Sequence, residues 1–247
     1  MSEFIRSVPP EREIPASGHR AGTSVADETI DREYNSETPP LSQSSPAIDE
    51  GEVARFLQAL TGSSKTQLHW RGFIDAQKGG PGRSTFGNLR SVLPELRQWQ
   101  DDGCGVYIVV NEGGTDDISI TGVRALFVDA DRKDGQPFPL PTKWHAEPDF
   151  LADRGDGTRW HAYWRATPGS VTPDQFRPTQ RALAAYYGTD KSVINPSRVM
   201  RVPGFLHLKD PANPKIYRVE ERDPDRTRTF AELTAGLPEV VVEILSG

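Results

Sequence analysis

Cysteine and long apolar runs are nearly missing from this sequence of 247 residues. Cys104 is the only cysteine, so the chain can form no intrachain disulfide and no zinc site built on several thiolates. A single cysteine is typical of a protein of the reducing cytoplasm. No run of about 18 apolar residues occurs, which excludes a membrane-spanning helix. We therefore expect a cytoplasmic protein with no membrane partner.

Apolar residues are also scarce overall, at 35%, and the shortage is concentrated at the N-terminus. Residues 1–48 are rich in Ser, Pro, Thr and Glu and have no periodic apolar face, so we expect a disordered acidic tail. The first 50 residues carry ten acidic and four basic side chains, a net charge of −6. The remaining 25 acidic and 25 basic side chains cancel. The overall acidity therefore does not exclude a polyanionic partner for the folded part.

A single folded domain is expected over residues 49–247, because apolar periodicity begins there. Helical spacing predicts helices over residues 53–60, 88–99, 178–187 and 229–237. Runs of β-branched and aromatic residues predict strands over residues 67–74, 105–111, 123–131, 158–166 and 215–221. These elements lack the regular alternation of a doubly wound sheet. We therefore expect an α+β domain with a largely antiparallel sheet and flanking helices.

The strand "VRALFVDAD" ends in two aspartates that are one residue apart. Residues two apart on a strand share a face, so Asp129 and Asp131 stand together, while Leu126, Val128 and Ala130 face the other way. Carboxylates that close repel each other unless a cation lies between them. Oxygen ligands favour Mg²⁺ or Mn²⁺. The alternative is a strand that simply runs into a solvated polar turn.

The strand "RWHAYWR" is predicted to have one apolar and one basic face. Trp160 and Trp164 fall on the apolar face, and His161 falls on the other face with Arg159 and Arg165. This alternation predicts a half-open sheet whose exposed side could hold an anion such as a phosphate. The alternative is an ordinary amphipathic edge strand.

The stretch "YYGTDKSVINPSRVMRVPGFLHLK" is basic after Asp190 and is interrupted by Pro and Gly. Its cations are Lys191, Arg198, Arg201 and Lys209. Arg198 and Arg201 are three residues apart, which is the spacing of one face of a helical turn. Long basic segments of this kind are more often functional than not. The alternative is a loop with solvated cations.

Together these segments resemble the RepB-like primases of plasmids and phages, within the archaeo-eukaryotic primase superfamily. The resemblance covers roughly residues 49–218 and depends on the order "LFVDAD", "RWHAYW" and "GTDKSVINPSRVMRVPGF". It implies an RRM-like, largely antiparallel catalytic core. It also implies that Asp129, Asp131 and Asp190 hold two Mg²⁺ or Mn²⁺ ions and are the catalytic residues. Many relatives have an acidic residue where this chain has Asn195, so the third carboxylate is open between these two positions.

The resemblance further implies a nucleotidyltransferase that synthesises or extends primers. The nucleotide-binding residues would be His161, Arg198, Arg201 and Lys209. Its partners would be a single-stranded DNA template, NTPs or dNTPs and, since the sequence ends soon after the core, a separate replicative helicase.

Two other functions remain open on the residues alone. A metal-dependent nuclease would use the same carboxylates, although it needs no triphosphate pocket. A non-enzymatic replication initiator would bind DNA through a basic recognition helix, and the sequence shows no such helix.

Overall fold

The computed structural model describes residues 47–77, 79–131, 136–223 and 225–238. The predicted disordered tail therefore lies outside the described residues, apart from its last two. No helix in these ranges is long and apolar enough to cross a membrane.

The described residues form four α-helices, one short 3₁₀ helix and twelve short strands. The helices are α1 (Glu50–Thr61), α2 (Leu89–Asp101), α3 (Pro173–Tyr187) and α4 (Phe230–Thr234), with a 3₁₀ turn at Asp117–Ser119. The strands are β1 (Leu68–Ile74), β2 (Arg83–Gly87), β3 (Cys104–Val109), β4 (Glu112–Gly113), β5 (Ile120–Gly122), β6 (Ala125–Asp131), β7 (Phe150–Asp153), β8 (Arg159–Arg165), β9 (Val199–Arg201), β10 (Leu206–His207), β11 (Lys215–Ile216) and β12 (Arg218–Glu221).

Capping residues set the ends of these helices. The Asp49 and Asn88 side chains accept backbone N–H groups in the first turns of α1 and α2, which satisfies donors that have no partner within the helix. Gly62 ends α1 with a φ of 75°, a left-handed conformation that glycine adopts without steric cost. The helix predicted over residues 178–187 starts earlier, because Thr172 caps α3 and Pro173 lies at its first position.

Most strands belong to two four-stranded sheets, and every ladder in both is antiparallel. The first sheet has the order β2-β1-β3-β9, and the second has the order β12-β7-β8-β6. Helix α3 packs on the second sheet, where the Phe176 and Phe127 rings lie 5.8 Å apart. The α+β, antiparallel prediction is confirmed.

Strand β8 corrects the prediction of a half-open sheet. It lies between β7 and β6, and every residue from Trp160 to Arg165 is buried. The Trp160 and Trp164 face packs against Trp144, at ring distances of 5.6 and 5.9 Å. The alternation predicted a solvated opposite face, but the Phe56 ring of α1 packs on Tyr163 of that face at 5.8 Å. A contact between segments this far apart in the sequence leaves no local pattern.

The outer edge of β6 is closed by side-chain and loop hydrogen bonds. Gln180 of α3 accepts the Phe127 N–H at 3.2 Å and donates to the Phe127 carbonyl at 2.8 Å. The Asp190 N–H donates to the Asp129 carbonyl at 3.0 Å. The strand that carries the paired aspartates is therefore held on both sides.

Three local predictions were wrong in detail. Arg198 and Arg201 do not share a helical turn, because Arg201 lies on β9 and Arg198 directly precedes that strand. The strand expected over residues 215–221 divides into β11 and β12, which pair in different sheets. Strand β7 was missed, since four residues after a proline give too short a pattern to stand out.

Candidate active site

A pocket of about 620 Å³ lies between the two sheets. One side is formed by β6 and β8, and the other by the ends of β1, β3 and β9 with the segment that follows β10. Its lining includes Asp75, Tyr107, Asp129, Asp131, Arg159, His161, Arg198, Arg201, His207, Lys209 and Tyr217. Polar and charged groups from both sheets therefore converge on one space of a size that binds a small ligand.

The paired aspartates face cross-strand partners on β8. Asp129 lies opposite His161, and Asp131 lies opposite Arg159. The Asp131 Oδ1 is 2.8 Å from the Arg159 Nε, which is an ion pair. The Asp129 Oδ1 is 3.5 Å from the His161 Nε2, too far for a strong hydrogen bond. Asp131 therefore has a cationic partner in the strand beside it, whereas Asp129 has none.

The electrostatics of Asp129 reflect this difference. Burial, and then the neighbouring charges of Asp131 and Asp190, raise its pKa to about 7. Arg198 and Arg159 oppose that shift without cancelling it. Burial also lowers the pKa of His161 to about 3, so its imidazole is neutral at pH 7 and cannot compensate the carboxylate.

Asp190 lies beside Asp129 through the backbone hydrogen bond that closes the β6 edge. Its carboxylate accepts the Ser192 N–H at 2.8 Å, and its charge is close enough to act on the Asp129 pKa. The structure thus brings Asp190 next to the pair, although its side chain is not part of the pocket lining.

Asn195, the other candidate for the third position, belongs to a different cluster. Its side chain donates to the Ser197 Oγ at 3.2 Å. Ser197 in turn donates from its N–H and its hydroxyl to Asp117, at 3.1 and 2.7 Å. These contacts tie the segment before β9 to the 3₁₀ turn, outside the pocket lining.

Arg201 reaches the pocket but is bound by its own sheet. Its guanidinium holds the Asp75 carboxylate with both terminal nitrogens and also donates to the Tyr107 hydroxyl. Its Cζ lies 4.5 Å from the centre of the Tyr107 ring. Both members of the ion pair are buried. The positive charge of Arg201 is therefore already compensated.

Arg198 and Lys209 differ from Arg201 in this respect. Arg198 is half-buried and Lys209 is exposed at the rim. Within the described ranges, neither side chain has a hydrogen-bond or ion-pair partner. Two cations without a hydrogen-bond or ion-pair partner among the described residues therefore line the same pocket as the aspartate pair.

Comparison with known proteins identifies the fold in which this pocket lies. No protein-family model and no curated protein sequence matches the chain. Among solved structures, the primase-polymerase AEP domain of cyanophage S-2L is 25% identical, with a TM-score of 0.60, and the match covers 78% of this chain and all of that one. The chain has the fold of the archaeo-eukaryotic primases.

Two further structures of a primase named RepB′ support this assignment of the fold. One is 16% identical, with a TM-score of 0.55, and the match covers 75% of this chain and 61% of that one. The other, a catalytic domain in complex with initiator DNA, is 17% identical, with a TM-score of 0.53, and covers 77% and 94%. The resemblance inferred from the sequence motifs is thereby confirmed for the fold.

Several residues of this primase-fold pocket were missed by the sequence analysis. Arg159 could have been found, since it shares the strand face of His161. Asp75, Tyr107, His207 and Tyr217 carried no local signal, because they come from four segments that are separate in the sequence. The Tyr217 ring stacks on the His161 ring at 5.1 Å and 23°, a contact between residues 56 positions apart in the chain.

The donor set at this point of the primase fold is chemically suited to a hard cation. Asp129 and Asp131 offer carboxylate oxygens to one pocket. Burial, together with the charges of Asp131 and Asp190, raises the pKa of Asp129, and a bound cation would lower it. Within the part of the chain that the structure describes, no three metal-ligating side chains are close enough to form a ready-made site. The fit is that of a carboxylate pair with a third carboxylate on the adjacent loop.

Proposed function

We propose that the chain is a metal-dependent nucleotidyltransferase that synthesises or extends primers on a single-stranded DNA template. One observation carries the proposal: Asp129 and Asp131 line a pocket that is also lined by Arg198 and Lys209, two cations without a hydrogen-bond or ion-pair partner among the described residues. Carboxylates opposite unpaired cations suit a triphosphate that enters with divalent ions. The primase and primase-polymerase neighbours support this choice of chemistry at the level of the fold.

Asp129, Asp131 and Asp190 would hold Mg²⁺ or Mn²⁺. Bound divalent ions would activate the attacking hydroxyl and neutralise charge on the triphosphate. The chain's own contribution at this point is orientation, because Arg159 fixes the Asp131 carboxylate from the neighbouring strand. Isothermal titration of Mn²⁺ into the wild type and into Asp129→Asn measures the binding without any reaction.

Arg198 and Lys209 would bind the triphosphate through charge-assisted hydrogen bonds. His161, neutral and stacked on Tyr217, would donate one N–H to a phosphate oxygen. Arg201 would act on the pocket mainly by holding Asp75 and Tyr107 in place.

A primer-synthesis and extension assay on single-stranded DNA, with NTPs and dNTPs in turn, tests the proposal. We expect Asp129→Asn and Asp131→Asn to abolish incorporation while the protein stays folded. Asp101→Asn, which changes an exposed aspartate outside the pocket lining, is the matched control. Full activity of both pocket variants would refute the metal site. Template cleavage without incorporation would instead identify a nuclease, and DNA binding without either reaction would identify an initiator.

The third carboxylate is tested by comparing two substitutions. Asp190→Asn should remove most activity if Asp190 is a ligand, whereas Asn195→Ala should have a mild effect through the loop. The reverse ranking would move the third position to residue 195.

Substitution of the two arginines should affect different measurements, nucleotide kinetics for Arg198 and thermal stability for Arg201. Arg198→Ala should raise the KM for the nucleotide with a smaller change in kcat, the pattern of lost ground-state binding. The substitution should weaken the binding free energy of the nucleotide by about 1.5–3 kcal/mol, as for a hydrogen bond to a charged group. Arg201→Ala should chiefly lower the melting temperature, since it leaves Asp75 buried without its partner.

A further inference from the structure

One face of the first sheet carries aromatic and basic side chains from its free edge to the pocket. His69 on β1 lies opposite Phe86 on β2, and Arg71 lies opposite Tyr107 on β3. Residues two apart on β1 share a face, which adds Phe73 to the set. We call these five residues the aromatic stripe. Its inner members, Phe73 and Tyr107, line the pocket.

The rings of the stripe form two pairs. Phe86 and His69 have ring centroids 4.6 Å apart at the edge of the sheet, and Phe73 and Tyr107 are 5.4 Å apart at the pocket. The Arg71 guanidinium lies between the pairs, 5.5 Å from the Phe73 centroid. Phe86 is 55% exposed, so its ring is accessible to a ligand at the surface.

Arg71 has a positive charge without a counter-charge. Among the residues that the structure describes, no carboxylate pairs with it, and its Nε has no hydrogen-bond partner. The stripe itself contains no acidic residue. Asp75, at the end of β1, is already bound by Arg201. Among the described residues, the stripe therefore presents aromatic surface and one cation without an ion-pair partner, and none of its five members is acidic.

We propose that the aromatic stripe binds single-stranded DNA. The bases stack on Phe86 and His69, and a phosphate contacts Arg71 where the strand approaches the pocket. Unpaired bases expose the flat surfaces that aromatic side chains stack on, whereas a duplex hides them. Arg71 supplies the charge complementarity, and the inner rings make the stripe continuous with the pocket. The proposal rests on the proposed function, because it identifies the occupant as the template strand.

Fluorescence anisotropy with a labelled oligothymidylate, without nucleotide or divalent ions, tests this surface directly. Phe86→Ala should weaken binding about 5- to 100-fold, the range of losing one base stack, with an unchanged salt slope. Arg71→Ala should weaken binding and reduce the slope of log K against log salt by about 0.7. Phe86→Trp should bind at least as well as the wild type.

Matched controls exclude unspecific effects. Ile118→Ala removes another exposed apolar side chain, which is 98% exposed, and Arg181→Ala removes an exposed cation on α3. Neither should change the affinity as much as its counterpart. Melting temperatures of all variants show whether each one is folded.

Wild-type affinity in folded Phe86→Ala and Arg71→Ala proteins would overturn the proposal. Equal dependence on Phe86 for a duplex probe would also overturn it, because a duplex offers no free base face. Concentration-dependent self-association that Phe86→Ala abolishes, with DNA binding intact, would assign the face to a second copy of the chain. Failure of the proposed function has a different signature, namely a wild type that binds the oligonucleotide through the stripe but incorporates no nucleotide.

Discussion

Asp149, directly before β7, and Asp129, on β6, are two carboxyl groups whose pKa values burial raises, and they differ in the charges that surround them. Asp149 is fully buried before β7. Its carboxylate accepts a hydrogen bond from the Arg165 N–H at 2.6 Å and forms an ion pair with Arg228. Asp129 has a side chain that is 25% exposed, and in the described part of the chain its ion-pair contact is with the neutral imidazole of His161, 3.5 Å away. Arginine charges offset the burial of Asp149, whereas the charges of neighbouring carboxylates add to the effect of burial at Asp129.

The two sites differ in the charges that surround a buried carboxylate. Arg228 is buried and also donates to the Glu147 carbonyl, so the pair at Asp149 fixes the chain around β7. At Asp129 the charges of Asp131 and Asp190 add to the effect of burial. A pocket carboxylate whose pKa is raised by burial and by neighbouring carboxylates is a candidate functional group, whereas the ion pair of Asp149 with Arg228 is structural.

The largest effect should come from breaking the compensated pair. Arg228→Met should lower the free energy of unfolding by about 3–5 kcal/mol, because it strands the Asp149 charge in the interior. Urea denaturation measures the change, and Arg181→Met is the control on an exposed arginine. Adding Asp149→Asn to Arg228→Met should recover part of the loss. Additive destabilisation would mean that the pair is not coupled.

A gain of stability is expected at the uncompensated carboxylate. The pKa of Asp129 is raised from 3.8 to about 7, so the folded state binds its proton more tightly than the unfolded state does. The contribution of Asp129 protonation to the stability of the wild type is therefore lost as the pH rises through the range between these two values. Asp129→Asn should remove that loss. The free energy of unfolding of the variant should exceed that of the wild type by about 1–4 kcal/mol at about pH 8, and the difference should disappear at about pH 4.

Urea denaturation of both proteins across this pH range, with chelator present, reports on Asp129 and the carboxylates coupled to it, because groups that do not interact with Asp129 cancel in the difference. A variant that is less stable than the wild type at the upper end of the range would contradict the charge assignment.

The smallest effect is expected at the intermediate case, Asp131 with Arg159. This pair is partly exposed, with side-chain exposures of 38% and 18%. A double-mutant cycle with Asp131→Ala and Arg159→Ala should give a coupling of about 0–1 kcal/mol. A coupling as large as that of Arg228 with Asp149 would place Asp131 among the structural charges.

Local patterns predicted much of this fold. The alternation in "VRALFVDAD" gave β6 and the shared face of its two aspartates, and the helical spacing of apolar residues gave α2. These features depend on neighbours in sequence, as do periodicity and capping. The ordered motifs pointed to the primase fold, which the structural neighbours confirm.

The remaining features depend on contacts between distant segments. Arg201 looked like a free cation in the sequence, yet Asp75, 126 residues away, binds it. His161 looked accessible on a polar face, yet Tyr217 covers it. Burial on both faces of β8 has the same origin. The roles assigned to the site residues remain predictions for the experiments above.

The hydrogen bonds from Gln180 to Phe127 have a consequence for association between molecules. An edge strand with free N–H and carbonyl groups invites another chain to pair with it and so begin an aggregate. At β6 the Gln180 amide occupies both groups of Phe127, and the Asp190 N–H occupies the next carbonyl on that side. The strand that carries the aspartates is thus shielded from intermolecular β-pairing without a charged residue being placed there for the purpose.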